Sequence, residues 1–542
     1  MFHLLFSLSP DAIAWRTRWI FTILAITAVV WGWYDVRYRG RLEANDPGAH
    51  MTDFTCYTEA GAAFFDGRDP YQVTNSRGWG YPYPPLFALL VAPLASLDTQ
   101  TQVLFWYVIS LFAVWGCYRE SRRLWSFAIG VSSNTYESPL TPPFLLWLPW
   151  IAALTVALPV LNCLQRGQVG VVKAYLLILG LRLVLNAKSW RGASLAGVVL
   201  ALPIVLKVTP ILPVAVLLFG LVVRSYYAVA NERVWSKTVG TISGVAMGML
   251  LFVLVIPTAM LGWNANQRHL TTWYQEIATR ANDLGGADRT GNTRTIRNQS
   301  LSNALYRCGN WLMFEFAAGP NDLLADDDQH YVRGTLPMDA PLIERIILYL
   351  RLGLVGLSFV TMGLMARRRD ELGLATAFGL AMAATLIVSP IGRGHYYMLL
   401  LPAVYLAPLW FYQRDHRRLA WFVALLPLLL CVAHYVALDV TGRLGVLGIG
   451  TTVWLVVVSI KLMGPIKMAR DPSLGHPTSR ATYQRFLHSN SCKDRVSSVD
   501  LLSICRVGNP LAGRPVTLNA SISSMDLTPD QLHPTPHDAV LD

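Results

Sequence analysis

The densest group of side chains that could carry chemistry lies between residues 53 and 86. It comprises the carboxylates and phenols of Asp53, Tyr57, Asp69, Tyr71 and Tyr83. A carboxylate within about 3 Å of a substrate hydroxyl can act on it as a general base. The simpler alternative is a solvated loop, because Asp66-Gly67 and Asp69-Pro70 are common turn dipeptides.

Cationic side chains stand at three further places where an apolar run ends: Arg166 beside Gln168, Lys207, and Arg393 beside His395 and Tyr396. Lys207 has no polar loop around it, and an ionisable group in such surroundings is costly unless it meets a partner such as a phosphate. Arg166 and Lys207 could instead extend to the lipid headgroups. His395 suits anion binding or proton transfer, with a structural histidine as the alternative.

The composition shows which elements must hold these side chains. The chain has 542 residues, of which 53% are hydrophobic and only 14% charged. Soluble domains average roughly 25% charged residues, so a single soluble globule is excluded. The net charge of +12 is concentrated in short clusters between apolar runs, as membrane topology predicts. A membrane protein surrounded by lipids is therefore expected, with no nucleic-acid partner.

The apolar runs predict an all-α polytopic membrane protein with about twelve transmembrane helices. The predicted spans are 18–36, 103–118, 143–161, 169–186, 194–208, 210–223, 238–261, 342–365, 372–390, 396–412, 419–438 and 444–463. A cytoplasmic amino terminus puts the Lys and Arg clusters between spans on the cytoplasmic side. With this topology, the candidate site residues named above all lie on the outer face of the membrane.

The same topology divides the chain. A cytoplasmic segment, 1–17, precedes a membrane domain, 18–463, which carries two large extracytoplasmic loops at 37–102 and 262–341. The polar segment 471–542 is predicted to be a disordered cytoplasmic tail. The apolar run 84–97 contains three prolines and has only half the length of a span. We interpret it as a juxtamembrane helix, because counting it as a span would invert every later loop.

Residues 53–402 resemble glycosyltransferase family 87, the polyprenyl-phosphate-mannose-dependent mannosyltransferases of the GT-C fold. The motifs that carry the resemblance are Asp53-Phe54 with Tyr57, Gly67-x-Asp69-Pro70-Tyr71, Tyr81-x-Tyr83-Pro84-Pro85-Leu86, Gly167-Gln168-Val169, Leu206-Lys207-Val208-Thr209-Pro210, Asn298-x-Ser300-Leu301 and Ser389-Pro390 through His395-Tyr396-Tyr397. Their order and spacing together are more specific than any one of them.

The resemblance implies a multi-pass enzyme of the cell membrane that moves a sugar, expected to be mannose, from a polyprenyl-phosphate donor to a hydroxyl of a lipid-linked or cell-envelope glycan. It implies inversion at the anomeric carbon with Asp53 as the base. Basic residues at headgroup depth can neutralise the leaving phosphate; the candidates are Lys207, His395, Arg393 and Arg166. Predicted substrate-binding residues are Tyr57, Asp69, Tyr71, Tyr83, Gln168, Asn298 and Tyr396.

No cofactor is expected, since the donor carries no nucleotide and the chain has no phosphate-binding glycine-rich loop. No metal site is predicted either, because the seven cysteines lack metal-ligand spacing. Two other functions stay open. A transporter or flippase would also use many spans and an intramembrane lysine. A glycan polymerase or ligase that uses a lipid diphosphate would account for the many arginines of loop 262–341.

Overall fold

The computed structural model describes residues 26–34 without 28, 52–129 without 77, 143–228, 232–278, 297–305 and 340–464. The predicted segments 1–17 and 471–542 and most of the predicted span 18–36 lie outside these ranges, as do residues 37–51 of the first predicted outer loop and most of the second. The described ranges are mostly helical and contain no β-strand, only isolated bridges such as Asn298 with Arg393.

The helices are numbered here in chain order. They are α1 (Thr55–Phe65), α2 (Pro85–Val91), α3 (Thr99–Ile129), α4 (Pro143–Arg166), α5 (Gly170–Asn186), α6 (Trp190–Leu206), α7 (Ile211–Tyr227), α8 (Glu232–Met249), α9 (Ile256–Leu261), α10 (Trp263–Trp273), α11 (Ala340–Arg367), α12 (Glu371–Val388), α13 (Leu401–Tyr412), α14 (Arg417–Val436), α15 (Leu438–Arg443) and α16 (Val446–Met463). Short 3₁₀ helices at Ala92–Ser96 and Gly394–Leu400 continue α2 and precede α13, and a π-helical turn at Leu250–Val255 joins α8 to α9.

Seven helices in the described ranges are long and apolar enough to cross a membrane. They are Thr99–Ser126, Phe144–Arg166, Glu232–Leu261, Arg345–Arg367, Glu371–Val388, Arg417–Val436 and Val446–Met463. The predicted spans 169–186, 194–208 and 210–223 correspond to α5, α6 and α7, which have 17 residues each. A helix of that length is about 25 Å long, slightly short of a hydrocarbon layer. The chain is therefore an all-α polytopic membrane protein, and the count of twelve spans stays a prediction.

Small residues at helix contacts allow the helix backbones to approach closely, as is common in membrane proteins. Gly240, Gly244 and Gly248 lie one turn apart on α8 and face the main chain of α6. A side chain at any of them would collide with α6, so these glycines set the close approach of the two helices. Helix α12 is central, because every residue from Leu372 to Ile387 is buried.

The half-length apolar run forms a short helix that is mostly buried. Its α-helical and 3₁₀ parts together span Pro85–Ser96, about 18 Å at most as an α-helix, which is too short to cross. Tyr81 fixes its start, because the phenol donates to Pro84 O at 2.5 Å and accepts from Ala88 N at 3.1 Å. Its juxtamembrane position stays a prediction.

The loops that carry the basic clusters lie together at one end of the helices. Lys237 at the start of α8 donates to Leu185 O near the end of α5 at 2.9 Å. Arg224 at the end of α7 pairs with Glu371 at the start of α12 at 2.9 Å. Arg368 donates to the last carbonyls of α16. Because α4, α6 and α12 run away from this end, their carboxyl ends, where the candidate residues stand, lie at the opposite one.

Candidate active site

Asp53 lies directly before α1, against the turn that follows α4. Its backbone N–H donates to Arg166 O at 2.9 Å. The turn depends on Gly167, which has a φ of +64°, a backbone conformation that favours glycine. A Cβ at this position would also lie 2.6 Å from Thr52 Oγ1 and 2.9 Å from Phe54 Cβ. Glycine therefore allows the chain before Asp53 to pack directly on the turn.

The Asp53 carboxylate is buried, with 7% of the residue exposed, and two side chains of that turn hold it. Gln168 Nε2 donates to Asp53 Oδ2 at 2.6 Å, and Arg166 Nη1 lies 3.9 Å from the same oxygen. Gln168 Oε1 in turn accepts a longer bond of 3.4 Å from Tyr57 OH. The arrangement orients a carboxylate, as a general base requires, and brings together four residues that the sequence predicted for the site.

An aromatic cluster lies beside this carboxylate. The ring of Tyr57 contacts those of Tyr83 and Phe87, with centroids 5.7 and 4.9 Å apart. Burial raises the pKa of Tyr57 and that of Tyr83 well above the usual value for tyrosine. Both phenols therefore stay protonated at neutral pH and can serve as hydrogen-bond donors.

Lys207 joins the cluster from the end of α6. Its Nζ donates to Tyr396 OH and lies 4.0 Å from the centroid of that ring and 5.2 Å from the centroid of Tyr83. Lys207 is 9% exposed, so its ammonium is directed inward and does not reach solvent. Cation–π contacts offset part of the cost of its burial. This observation favours the functional interpretation of Lys207 over extension to the headgroups.

Arg393 and His395 enter the site from the loop after α12. The guanidinium of Arg393 lies 5.1 Å from the ring centroid of Trp79. His395 is 2% exposed, and its Nε2 has no hydrogen-bond partner within the described part of the chain. Burial lowers the pKa of His395, and the nearby charges of Arg166, Lys207, Arg393 and Lys173 lower it further. A neutral buried imidazole among cations is a place where an anion would be stabilised.

Asn298 holds the same loop in position. Its Oδ1 accepts from Gly392 N at 2.8 Å and its Nδ2 donates to Pro390 O at 3.1 Å. Gln299 N also donates to Gly392 O at 2.8 Å. The sequence predicted Asn298 as a substrate residue. These contacts make Asn298 a support for the segment that precedes Arg393 and His395, and its binding of substrate stays a prediction.

Two predicted residues lie apart from the carboxylate. Asp69 is exposed, and its Oδ1 accepts from Tyr71 N at 2.9 Å, which is the geometry of an ordinary turn. Tyr71 is buried, and its phenol donates to Tyr83 O at 3.3 Å. The structure thus makes Tyr71 a support for Tyr83, and the described contacts of Asp69 are those of a turn.

Lys173 belongs to the site although the sequence analysis did not select it. It lies in the first turn of α5, is 2% exposed, and donates from Nζ to Thr209 Oγ1 at 3.1 Å. The ring centroid of Tyr396 is 5.6 Å from the same Nζ. A lysine inside an apolar run is the pattern that identified Lys207, so the sequence did contain the indication.

An apolar groove with a volume of about 730 Å³ opens next to the site. It lies between α2, α3, α5 and α6, and Leu206 and Phe87 line the end near Lys207. Along α3 it extends from Phe105 to Glu120, about 22 Å at the rise of an α-helix. The groove has the length and the apolar lining to hold a long hydrocarbon chain.

Within the described residues, no group of three or more His, Cys, Asp and Glu side chains could hold a metal ion. The expectation of metal-independent chemistry stays a prediction, because metal dependence is a property of the reaction and has to be measured.

A model of a protein family described as Glycosyltransferase family 87 matches residues 81–390 of the chain, which is more than half of its length. The match includes Arg166, Gln168 and Lys207. Asp53 precedes the matched segment and His395 follows it. Asp53 is connected to the segment by its hydrogen bond from Gln168, and His395 by its proximity to Arg166 and Lys207. A search of curated proteins finds no match.

Proposed function

The chain belongs to glycosyltransferase family 87 and is a membrane glycosyltransferase, and from this premise we propose that it transfers mannose from a polyprenyl-phosphate donor to a hydroxyl of a lipid-linked or cell-envelope glycan. Transfer takes place at the extracytoplasmic face of the cell membrane. One observation carries the proposal: the buried carboxylate of Asp53 shares its site with the cations Arg166, Lys207 and Arg393. Such a site offers a base to the acceptor and a counter-charge to the donor.

The donor is supported by the placement of the groove and the cations. A polyprenyl phosphate stays in the bilayer, so its chain needs an apolar surface and its phosphate needs positive charge at the end of that surface. The groove and Lys207 meet both requirements, since Leu206 lines the groove and Lys207 follows it in the chain. His395 contributes a buried nitrogen available to a phosphate oxygen.

The proposed reaction is a single displacement. Asp53 accepts the proton of the acceptor hydroxyl while the acceptor oxygen forms a bond to the anomeric carbon. The bond from that carbon to the phosphate oxygen breaks, and its electron pair leaves with the phosphate. The cations stabilise the charge that develops on this oxygen. Attack opposite to the leaving group inverts the anomeric configuration, in the geometric sense of an inverting hydrolase.

Family membership decides between enzyme and transporter in favour of the enzyme. A lipid diphosphate remains the rival donor within glycosyltransferases. Of the arginines that motivated it, Arg268 and Arg297 lie in the described ranges, and Arg297 is close enough to Arg166 for the two charges to interact. The two donors differ in the lipid product, which is a monophosphate in one case and a diphosphate in the other.

The test is to incubate the purified chain in nanodiscs with polyprenyl-phosphate mannose and candidate lipid-linked acceptors, and to identify the products by mass spectrometry. We expect an acceptor that is heavier by one hexose and an equal amount of polyprenyl phosphate. Transfer from a polyprenyl-diphosphate sugar, with none from the monophosphate donor, would contradict the proposal.

A further inference from the structure

The buried ammonium of Lys173 has no part in the mechanism proposed above. Lys173 lies on α5, five residues after Gln168, and is 2% exposed. Removing an ammonium from water is costly unless it is paired and hydrogen-bonded. The partner that the structure shows is the hydroxyl of Thr209, with Nζ and Oγ1 3.1 Å apart. A hydrogen bond to one neutral hydroxyl offsets only part of that desolvation cost. The burial of Lys173 therefore indicates a functional role.

The direction of this hydrogen bond determines what Thr209 can do. An ammonium has donors and no acceptor, so Lys173 donates and the Thr209 oxygen accepts. The hydroxyl proton of Thr209 is therefore directed away from Lys173 and is available to an acceptor such as a phosphate oxygen. Thr209 is half-buried and lies two residues after Lys207. A cation that donates to a hydroxyl also polarises it, which strengthens the bond that the hydroxyl donates onward.

Lys173 and Lys207 lie beside the same ring. Their Nζ atoms are 5.6 and 4.0 Å from the centroid of Tyr396. The ring of His395 lies edge-on to Tyr396 at 4.3 Å, and its Nε2 has no partner within the described residues. Two lysine side chains and an unpartnered imidazole nitrogen thus lie beside one aromatic side chain. A bound phosphate with two negative charges would stabilise the charged form of both lysines.

The charge on the phosphate changes during the proposed reaction. The donor is a phosphodiester with one negative charge, whereas the released lipid phosphate is a monoester. Its second ionisation has a pKa of about 6, so it carries close to two negative charges at neutral pH. An interaction that is stronger with the doubly charged group than with the donor is also stronger in the transition state, where this charge is developing.

On the basis of the proposed function, we infer that Lys173 is a positioning residue, which orients the Thr209 hydroxyl as a donor to the phosphate and favours the doubly charged monoester over the singly charged diester. Lys173 acts through Thr209 and by its charge. It is a specificity element for the charge state of the lipid phosphate, in addition to the cations at the carboxyl ends of α4 and α6.

The test measures binding without catalysis. Polyprenyl phosphate and its methyl ester differ by one charge and share the lipid chain, and their Kd values can be measured on the full chain in nanodiscs at about pH 8, above the second ionisation of the monoester. We expect the parent to prefer the monoester. Lys173→Met, which keeps the length of the side chain and removes its charge, should weaken monoester binding about tenfold and methyl-ester binding less than about threefold.

Thr209 provides a second, independent set of variants. Thr209→Val should reproduce the selective loss, Thr209→Ser should restore monoester binding, and the combination of Lys173→Met with Thr209→Val should lose no more than Lys173→Met alone, because the two residues act in series. The matched control is Lys237→Met. Lys237 is a partly buried lysine that donates to Leu185 O at the opposite end of the helices, so its loss should lower thermal stability and leave both Kd values unchanged.

Four outcomes would overturn the inference. Equal losses for both lipids in Lys173→Met would show that its charge does not distinguish them. Additive effects of Lys173→Met and Thr209→Val would show that Thr209 is not the intermediary. If the parent binds both lipids and Lys173→Met changes neither Kd, the inference fails and the donor proposal stands, whereas a parent that binds neither lipid overturns both.

Discussion

Gln168 donates a hydrogen bond of 2.6 Å from its side-chain nitrogen to Oδ2 of Asp53, across 115 positions in the chain. The bond connects the turn after α4 to the segment before α1, and so connects the matched family segment to the carboxylate that lies outside it. An amide donor fixes the direction of a carboxylate without adding a positive charge. The carboxylate of Asp53 is thereby oriented, as the proposed role of a base requires.

Replacing Gln168 with Leu should therefore lower the rate of transfer about 10- to 100-fold, the range expected when a charge-assisted hydrogen bond of about 1.5–3 kcal/mol is lost. Donor affinity should change little, because Gln168 does not contact the cations that surround Lys207. Single-turnover rates and donor Kd values separate the two effects.

Gln102 provides the matched control for this variant. It is also buried, and it contacts Leu97 O and Thr58 Oγ1 in the same outer segment without contacting Asp53. Gln102→Leu should lower the melting temperature and leave the single-turnover rate near that of the parent. If both variants slow transfer equally, the bond to Asp53 has no special role.

Gly167→Ala should lower the transfer rate by more than the backbone strain of the substitution would cause by itself. A non-glycine residue in the left-handed conformation costs about 1–2 kcal/mol, and here the added Cβ would also displace Thr52 and Phe54 on either side of Asp53. We expect at least a tenfold loss of transfer rate. Gly67 is the control, since it has a φ of +72° with nothing within 4 Å of its Cβ position. Gly67→Ala should lower the stability of the protein without slowing transfer. An equal loss of transfer rate in Gly67→Ala and Gly167→Ala would contradict this account of Gly167.

Donor binding should depend on pH through His395. Burial and the neighbouring cations lower the pKa of His395 in the empty site, and a bound anion offsets those cations and raises the pKa toward the usual value of about 6.5. Binding therefore takes up protons. Affinity should rise as the pH falls through the window between the two pKa values, by at most about tenfold per pH unit.

The methyl ester of polyprenyl phosphate is the suitable probe for this effect, because its own charge is constant in that range. Its Kd should decrease between about pH 7.5 and about pH 5.5 in the parent, and His395→Gln should make this dependence weaker. A Kd that increases toward low pH, or an unchanged slope in His395→Gln, would show that His395 is not near the phosphate.

Much of this arrangement could be predicted from the sequence, because the predictions rested on properties that act locally. Apolar runs predicted the helices, and the basic clusters predicted that the loops at one end belong together, as the contacts of Lys237, Arg224 and Arg368 show. Lys207 was identified because an ionisable group in an apolar run requires a partner. The count of twelve spans did not follow so directly, since α5, α6 and α7 are shorter than the bilayer core.

The sequence was less informative where a role depends on which partner a side chain meets. Asn298 has the residue type of a substrate ligand, but the loop of Pro390 and Gly392 occupies its amide. Lys173 looked like one charge within a helix, and its importance follows from its distance to Thr209, 36 positions later in the chain. Such pairings arise when α5 and the end of α6 come together, and no local pattern encodes them.

The predicted topology can be tested at two exposed positions. Asp66 lies in the first outer loop and Arg417 lies at the opposite end of the helices, with 57% and 72% of their side chains exposed. Asp66→Cys should react with a membrane-impermeant thiol reagent in intact cells, and Arg417→Cys should react after the cells are opened, each relative to the parent chain. Labelling of Arg417→Cys in intact cells would reverse the assigned orientation.

The most direct measurement is the single-turnover rate of Asp53→Asn with polyprenyl-phosphate mannose and an accepted lipid-linked glycan. Asparagine keeps the size of the side chain and cannot take the proton, so we predict a rate about 10²- to 10⁴-fold below that of the parent, with a donor Kd within a few-fold of the parent value. Asp66→Asn, which removes an exposed carboxylate paired with Arg68, should transfer at the parent rate. A folded Asp53→Asn variant that transfers mannose within a few-fold of the parent rate would contradict the assignment of Asp53 as the base.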